Sequence, residues 1–178
     1  MSADPMPLSK IFEGWEGHQR SLVDTARPLT REQLAWRPAP HLRSVGELVG
    51  HISQGRIDWF ARMQTPRDAE LASQAGGENL EETLYGNAEA LARHLEGSWG
   101  MIEAALKEWT VADLGVTYRH TYNGQAYAIS RQWTIWRILT HDVHHGGELA
   151  LMLGLQGIAV PELGGQFGHL VVPPLAED

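Results

Sequence analysis

From Leu8 onward, apolar residues recur every three or four positions: Leu8, Ile11, Phe12, Trp15, Leu22, Val23 and Ala26 hold that spacing until Pro28. A 3.6-residue period gathers them on one face, so the run predicts a first helix that ends before the proline. The stretch 27–40 contains Pro28, Pro38 and Pro40 and reads as a connection with its own short turns. Ser44 followed by Glu47 matches a capping box, and Val45, Leu48, Val49, Ile52, Trp59, Phe60 and Met63 then repeat at helical intervals up to Pro66. His51 lies two turns inside this second helix. Asn79 with Glu82 is expected to cap a third helix, whose stripe is Leu84, Ala88, Leu91, Leu95, Ile102, Leu106 and Trp109.

Between Val116 and Ile129 the period changes. Val116, Tyr118, Tyr122, Tyr127 and Ile129 flank Asn123-Gly124, a favoured two-residue turn, and predict a short β-hairpin or ordered loop over 116–129. Ser130 is placed to cap a fourth helix through Trp133, Trp136, Ile138, Leu139, Val143, Leu149 and Met152 toward Gly154. Beyond it the chain is too rich in Gly and Pro for another long helix, and an irregular tail is expected. The stretch 67–81 is expected to form a loop near one end of the structure. Four amphipathic helices and one hairpin predict an all-α fold, an antiparallel four-helix bundle, in a single domain spanning 1–178.

Composition narrows the chemistry. At 178 residues and 43% hydrophobic, the chain can bury a core without covalent staples. The absence of cysteine removes disulfides, zinc–thiolate sites and a cysteine nucleophile, leaving His, Asp and Glu as metal ligands. With 22 acidic against 14 basic side chains the net charge is −8, and the arginines are scattered. No phosphate-tracking face results, so nucleic acid is not an expected partner. No run of 18 apolar residues and no leader-like N-terminus occurs, which predicts a cytoplasmic protein that does not insert in a membrane.

Among nine histidines, His141 and His145 stand one helical turn apart in THDVHHGGELALML. Side chains at i and i+4 share a face about 5–6 Å apart, so two imidazoles there can converge on one ion. At about 100° per residue, His141, His145 and Glu148 fall in a narrow arc beside Ile138, Leu149 and Met152, at the margin of the core. Two imidazoles there need a metal or a hydrogen-bond network. His51, beside Leu48 and Ile52, is the natural third member. Three neutral imidazoles with an open position suit Zn²⁺, Ni²⁺, Fe²⁺ or Co²⁺. His144 departs from the arc and is expected to act behind the ligands or at an interface; Glu148, Asp142 and Asp58 are candidate imidazole orienters.

Gly146 and Gly147 interrupt the fourth helix at about 1 kcal/mol each relative to Ala, which calls for close approach of another helix, room above a metal or a local kink. His18, His41, His94 and His169 have no patterned partner and are expected on the surface or in local hydrogen bonds. His120 is expected to be exposed in the hairpin. Trp59 and Trp136 are candidates to wall an apolar substrate pocket.

SVGELVGHISQGRIDWF, with one His inside the second helix, and ILTHDVHHGGELALMLGL, with HxxxH before a small pair and an acid, together resemble the DinB and YfiT-like family of metalloenzymes. The resemblance covers most of the chain. It implies a four-helix bundle with a divalent metal held by one His of the second helix and two residues a turn apart on the last, here His51, His141 and His145. It further implies a homodimer and a link to stress responses. Some relatives are thiol S-transferases or isomerases using bacillithiol, mycothiol or glutathione.

The expected activity is therefore that of a metal-dependent enzyme on a small molecule, a thiol S-transferase or related reaction, with Glu148, His120, Tyr122 or Tyr118 assisting proton transfer. Hydrolysis is the variant chemistry. The alternatives are a non-catalytic metal-binding or stress-related ligand-binding bundle, and an ordinary helical bundle whose histidines are hydrogen-bonded.

Overall fold

Several helix starts are set by a side chain that satisfies an orphaned amide. The computed structural model describes residues 6–63 and 79–160. Helix α1 (Leu8–Ile11) and α2 (Glu13–Ala26) are separated at Phe12, so the single first helix expected from the pattern is two. The first turn is tied to another part of the chain: the Leu8 amide donates to the Trp109 carbonyl at 2.8 Å, and Pro7 bridges Thr110. Within the proline-rich connection, Thr30 and Gln33 close a capping box that starts α3 (Arg31–Ala35).

Helix α4 (Val45–Arg62) begins as expected, with Ser44 and Glu47 exchanging hydrogen bonds. Arg37 clamps the Glu47 carboxylate from outside at 2.5 and 2.7 Å, holding it below the usual carboxylate range. The third helix starts later than expected. Asn79 takes a left-handed φ of 61°, residues Glu81–Tyr85 make a π-helical turn, and Asn87 caps α5 (Ala88–Glu108). Gly46 and Gly50 let that turn close in, since a Cβ on Gly46 would sit 1.9 Å from the Tyr85 carbonyl oxygen.

A 3-10 turn (Val111–Gly115) leads into strands β1 (Thr117–Tyr122) and β2 (Gln125–Ser130), antiparallel with Tyr122 opposite Gln125. Asn123 and Gly124 both have positive φ, 49° and 77°, as the tight hairpin turn requires. Ser130 then caps α6 (Arg131–Leu155) by accepting from the Trp133 amide. The expected 67–81 loop lies outside the described residues except for its last positions, and so do Pro66, His169 and most of the Gly/Pro tail.

The fold is an antiparallel four-helix bundle with one short hairpin. Helix α4 packs on α5 and α6, and α2 closes the ring against the same two. The core is split. One cluster centres on Leu22, Val49, Ile52, Leu91, Leu95 and Leu149, the other on Trp15, Ile57, Phe60, Ile102, Ile135 and Ile138. Between them runs a layer of buried polar side chains, His18, Gln19, Arg56, Ser98 and Asp142. Among the described residues, no helix is long and apolar enough to cross a membrane.

Candidate metal centre

The polar layer is anchored by an ion pair with no solvent exposure on either side. Arg56 Nε donates to Asp142 Oδ2 at 2.9 Å, and Trp15 Nε1 donates to the same oxygen at 2.9 Å. Arg56 Nη1 also donates to Gln19 Oε1 at 2.6 Å, and His18 Nε2 donates to the Asp142 carbonyl at 3.0 Å. Burial alone would raise the Asp142 carboxyl, but the Arg56 charge, the neighbouring His141 and the bonds from Arg56 and Trp15 hold it below its ordinary range. Gly146 makes room for His18, because a Cβ there would meet His18 Cε1 at 2.6 Å; Gly147 faces open space. One of the two glycines thus admits a neighbouring helix, and the other has no such partner.

Asp142 fixes α6 against α4, and the residue before it, His141, reaches the seam between those helices. His51 arrives from α4. His51 Nε2 and His141 Nε2 are 3.2 Å apart, and the rings of His51, His141 and His145 pack with centroids 4.5 to 4.9 Å apart. One ligand atom from each of the three lies within 4.8 Å of the others. Gly55, one turn beyond His51, is what admits the His141 ring: a Cβ there would lie 2.8 Å from His141 Cε1.

The electrostatics suit ligands rather than cations. Burial, then the nearby Arg43 charge and the other two imidazoles, push His51 down to about 4. Burial lowers His145 as well, against the opposing pull of Glu148. Both rings are therefore neutral at pH 7. His145 Nδ1 meets Glu148 Oε2 at 2.8 Å, which orients the ring and leaves Nε2 as its free donor. His141 Nδ1 stands 3.9 Å from Asp142 Oδ1, beyond hydrogen-bond reach but within electrostatic attraction.

These donors fit a divalent ion. Two imidazole nitrogens bound to one Zn²⁺ at about 2.0–2.1 Å in tetrahedral geometry stand roughly 3.3 Å apart, close to the 3.2 Å between His51 and His141. A second group, His144, His145 and Glu148, also clusters, but His144 is exposed and the Glu148 contact goes to the imidazole of His145.

The other sequence candidates scatter. His120 is half-buried, not exposed, and sits against Trp59 with centroids 5.3 Å apart; Tyr122 is 63% exposed at the hairpin end. Tyr118 bonds Thr134 Oγ1 at 2.7 Å, and burial raises its hydroxyl. Asp58 accepts from Gln54 at 2.7 Å, so Glu148, not Asp58, orients an imidazole. Trp136 is 65% exposed and does not line the cleft beside Trp59; Trp133, not Trp136, stands there, 5.3 Å from Trp59. His41 is exposed, whereas His18 and His94 are buried; of the surface or local hydrogen bond expected for each, His18 has neither, its bond running to the Asp142 carbonyl. The missed residue is Arg56; Asp142 was expected as an imidazole orienter and is instead the partner of Arg56. Arg56 continues the buried row Val49, Ile52, Ser53 and Phe60, and a charge on a core stripe is the signal that could have found it.

Four antiparallel helices with imidazoles converging on one seam place the chain among helix bundles able to hold a metal between facing helices. The family within that class is shown by a model of the DinB superfamily, which matches residues 15–149: the chain belongs to that superfamily. A crystal structure of a DinB-like protein from Bacillus cereus is similar with a TM-score of 0.65, covering 87% of this chain and 96% of its own, at 18% identity. At that identity the likeness speaks for the fold. No curated protein matches the chain.

Proposed function

We propose that His51, His141 and His145 hold one divalent ion, Zn²⁺, Ni²⁺, Fe²⁺ or Co²⁺, and that the protein is a metal-dependent enzyme acting on a small molecule. The observation that carries this reading is the convergence of three imidazoles, two of them held neutral, at the partly open edge of an otherwise closed polar layer. A divalent ion supplies Lewis acidity there, lowering the pKa of an incoming thiol or water. A thiol S-transferase or related reaction is the leading chemistry, and hydrolysis is its variant.

The chain's own residues prepare this. Glu148 holds His145 in the tautomer whose Nε2 is free, Gly55 leaves space for His141, and the Arg56–Asp142 pair keeps α4 and α6 in register. Glu148 is also the carboxylate nearest the imidazoles that can take a proton. A closed four-ligand site would favour a non-catalytic role, and the engagement of Glu148 with the His145 ring argues for three protein ligands instead.

A homodimer belongs to the same proposal, supported by the exposed stripe Trp136, Val143 and Leu151 on α6. Light scattering of Val143→Glu against wild type tests it, with dimer expected for wild type and monomer for the variant. For the activity, thiol-dependent consumption of an electrophile such as 1-chloro-2,4-dinitrobenzene, measured with glutathione, bacillithiol and mycothiol, should be present in wild type. His145→Ala should abolish it. Turnover by His145→Ala at the wild-type rate would contradict the proposal.

A further inference from the structure

The imidazole cluster is one end of a longer feature. On α4, His51, Gly55 and Trp59 form an i, i+4, i+8 row; on α6, His145, His141, Arg137 and Trp133 form the matching row in the opposite direction. The rows meet residue by residue: His51 with His145 and His141, Gly55 with His141, and Trp59 with Arg137 and Trp133. Eight residues at about 1.5 Å each put the tryptophan end roughly 12 Å along the seam from the histidines.

At that end a cleft of about 680 Å³ opens between the hairpin and the two helices. Its walls are Trp59, Trp133, His120, Tyr122 and Tyr127, with Arg137 at the edge. That size and apolar lining suit a small molecule.

The charges are unusual for an acidic chain. The guanidinium of Arg62 lies 4.6 Å from the Trp59 ring centroid and that of Arg137 4.9 Å, so two cations share one indole. Among the described residues, no carboxylate pairs with either. Stacking occupies the faces of a guanidinium but leaves its in-plane N–H groups free for an oxyanion. Two like charges beside one ring repel until an anion stands between them.

We infer that this cleft is a binding site for an aromatic acid, whose ring lies among Trp59, Trp133 and the hairpin tyrosines and whose carboxylate is held by Arg137, with the charge of Arg62, which stacks on Trp59 without lining the cleft, adding at longer range. This deepens the proposed function and rests on it for its catalytic meaning: an extended aromatic acid anchored here reaches along the seam to the histidines. Binding itself requires only the cleft.

The test is calorimetric titration of 2-naphthoate, and of 2-naphthylmethylamine as its cationic counterpart, into chelator-treated and Zn²⁺-loaded protein. Naphthoate should bind in both states, and the amine at least about tenfold more weakly. Arg137→Gln should weaken naphthoate by about tenfold, Arg62→Gln by less, and Trp59→Ala should abolish binding. The two arginine variants change exposed side chains and keep the test decisive if Trp59→Ala does not fold. Absence of naphthoate binding, equal affinity for the amine, or full affinity in the Arg62→Gln/Arg137→Gln double variant would overturn the inference. His51→Ala separates the two readings. If wild type holds no metal while naphthoate still binds with its charge preference, the metal reading fails alone; metal lost on His51→Ala with no naphthoate binding in wild type means that the aromatic-acid site fails alone.

Discussion

Arg56 lies five residues beyond His51 on α4, and Asp142 is next to His141 on α6, yet the two clusters they form are completed differently. In the inner one a full cation meets a full anion, Trp15 and Gln19 supply further hydrogen bonds, and no water reaches either charge. In the outer one, imidazoles that burial keeps neutral turn ring nitrogens toward each other at 3.2 Å. A pair of neutral imidazoles can share one proton, but three around a common point leave lone pairs without a partner. The inner cluster carries both charges of its ion pair within the chain itself, and the outer one gathers neutral imidazoles, the donors of the proposed ion.

The comparison is broken most severely from the inner side. Asp142→Ala leaves Arg56 charged, buried and unpaired, and should cost about 3–5 kcal/mol in denaturant unfolding. His51→Ala, measured metal-free, should cost about 1 kcal/mol or less. Equal losses would mean that the two clusters do not differ in kind. Glu148→Gln comes next: it should weaken metal affinity by about 10–100-fold in competition with a chromophoric chelator, while the metal-free unfolding midpoint stays where it is.

Gly55→Ala sharpens the contrast further, because its two consequences have opposite signs. The new Cβ displaces the His141 ring, so metal affinity should fall. Ala is favoured over Gly by about 1 kcal/mol inside a helix, so the metal-free protein should be at least as stable.

The remaining effect is on pH. His51 is depressed from an ordinary value near 6.5 to about 4, so the unfolded chain binds the proton more readily than the folded one between those values. Stability of the metal-free protein should therefore rise with pH from about 4 to 6.5, and be lost as pH falls through that window. His51→Ala should flatten the rise in unfolding midpoints measured across it.

The features legible in the sequence were those written in local chemistry. Ser44 with Glu47, Asn123-Gly124 and Ser130 each mark a boundary within a few residues, and each stands where expected. The HxxxH spacing put His141 and His145 on one face for the same reason. What escaped depends on tertiary contacts. Asn79 looks like a cap but adopts a left-handed turn, since Gly46 and Gly50 let the π-helical segment pack against α4. The turn before Phe12 is held by a hydrogen bond from Leu8 to Trp109, just over a hundred residues away in sequence. Arg56 and Asp142 are 86 residues apart, so neither explains itself without the other. His18 was misplaced for the same reason: its partner is the Asp142 carbonyl.

The central claim is that the outer cluster is a metal centre, and metal content measures it most directly. Untagged protein, exchanged into chelated buffer, reloaded with Zn²⁺ and freed of excess, should retain one ion per chain by inductively coupled plasma mass spectrometry, and His51→Ala should retain none. Wild type without a stoichiometric ion after loading with each of Zn²⁺, Ni²⁺, Fe²⁺ and Co²⁺, or His51→Ala with an undiminished one, would contradict it.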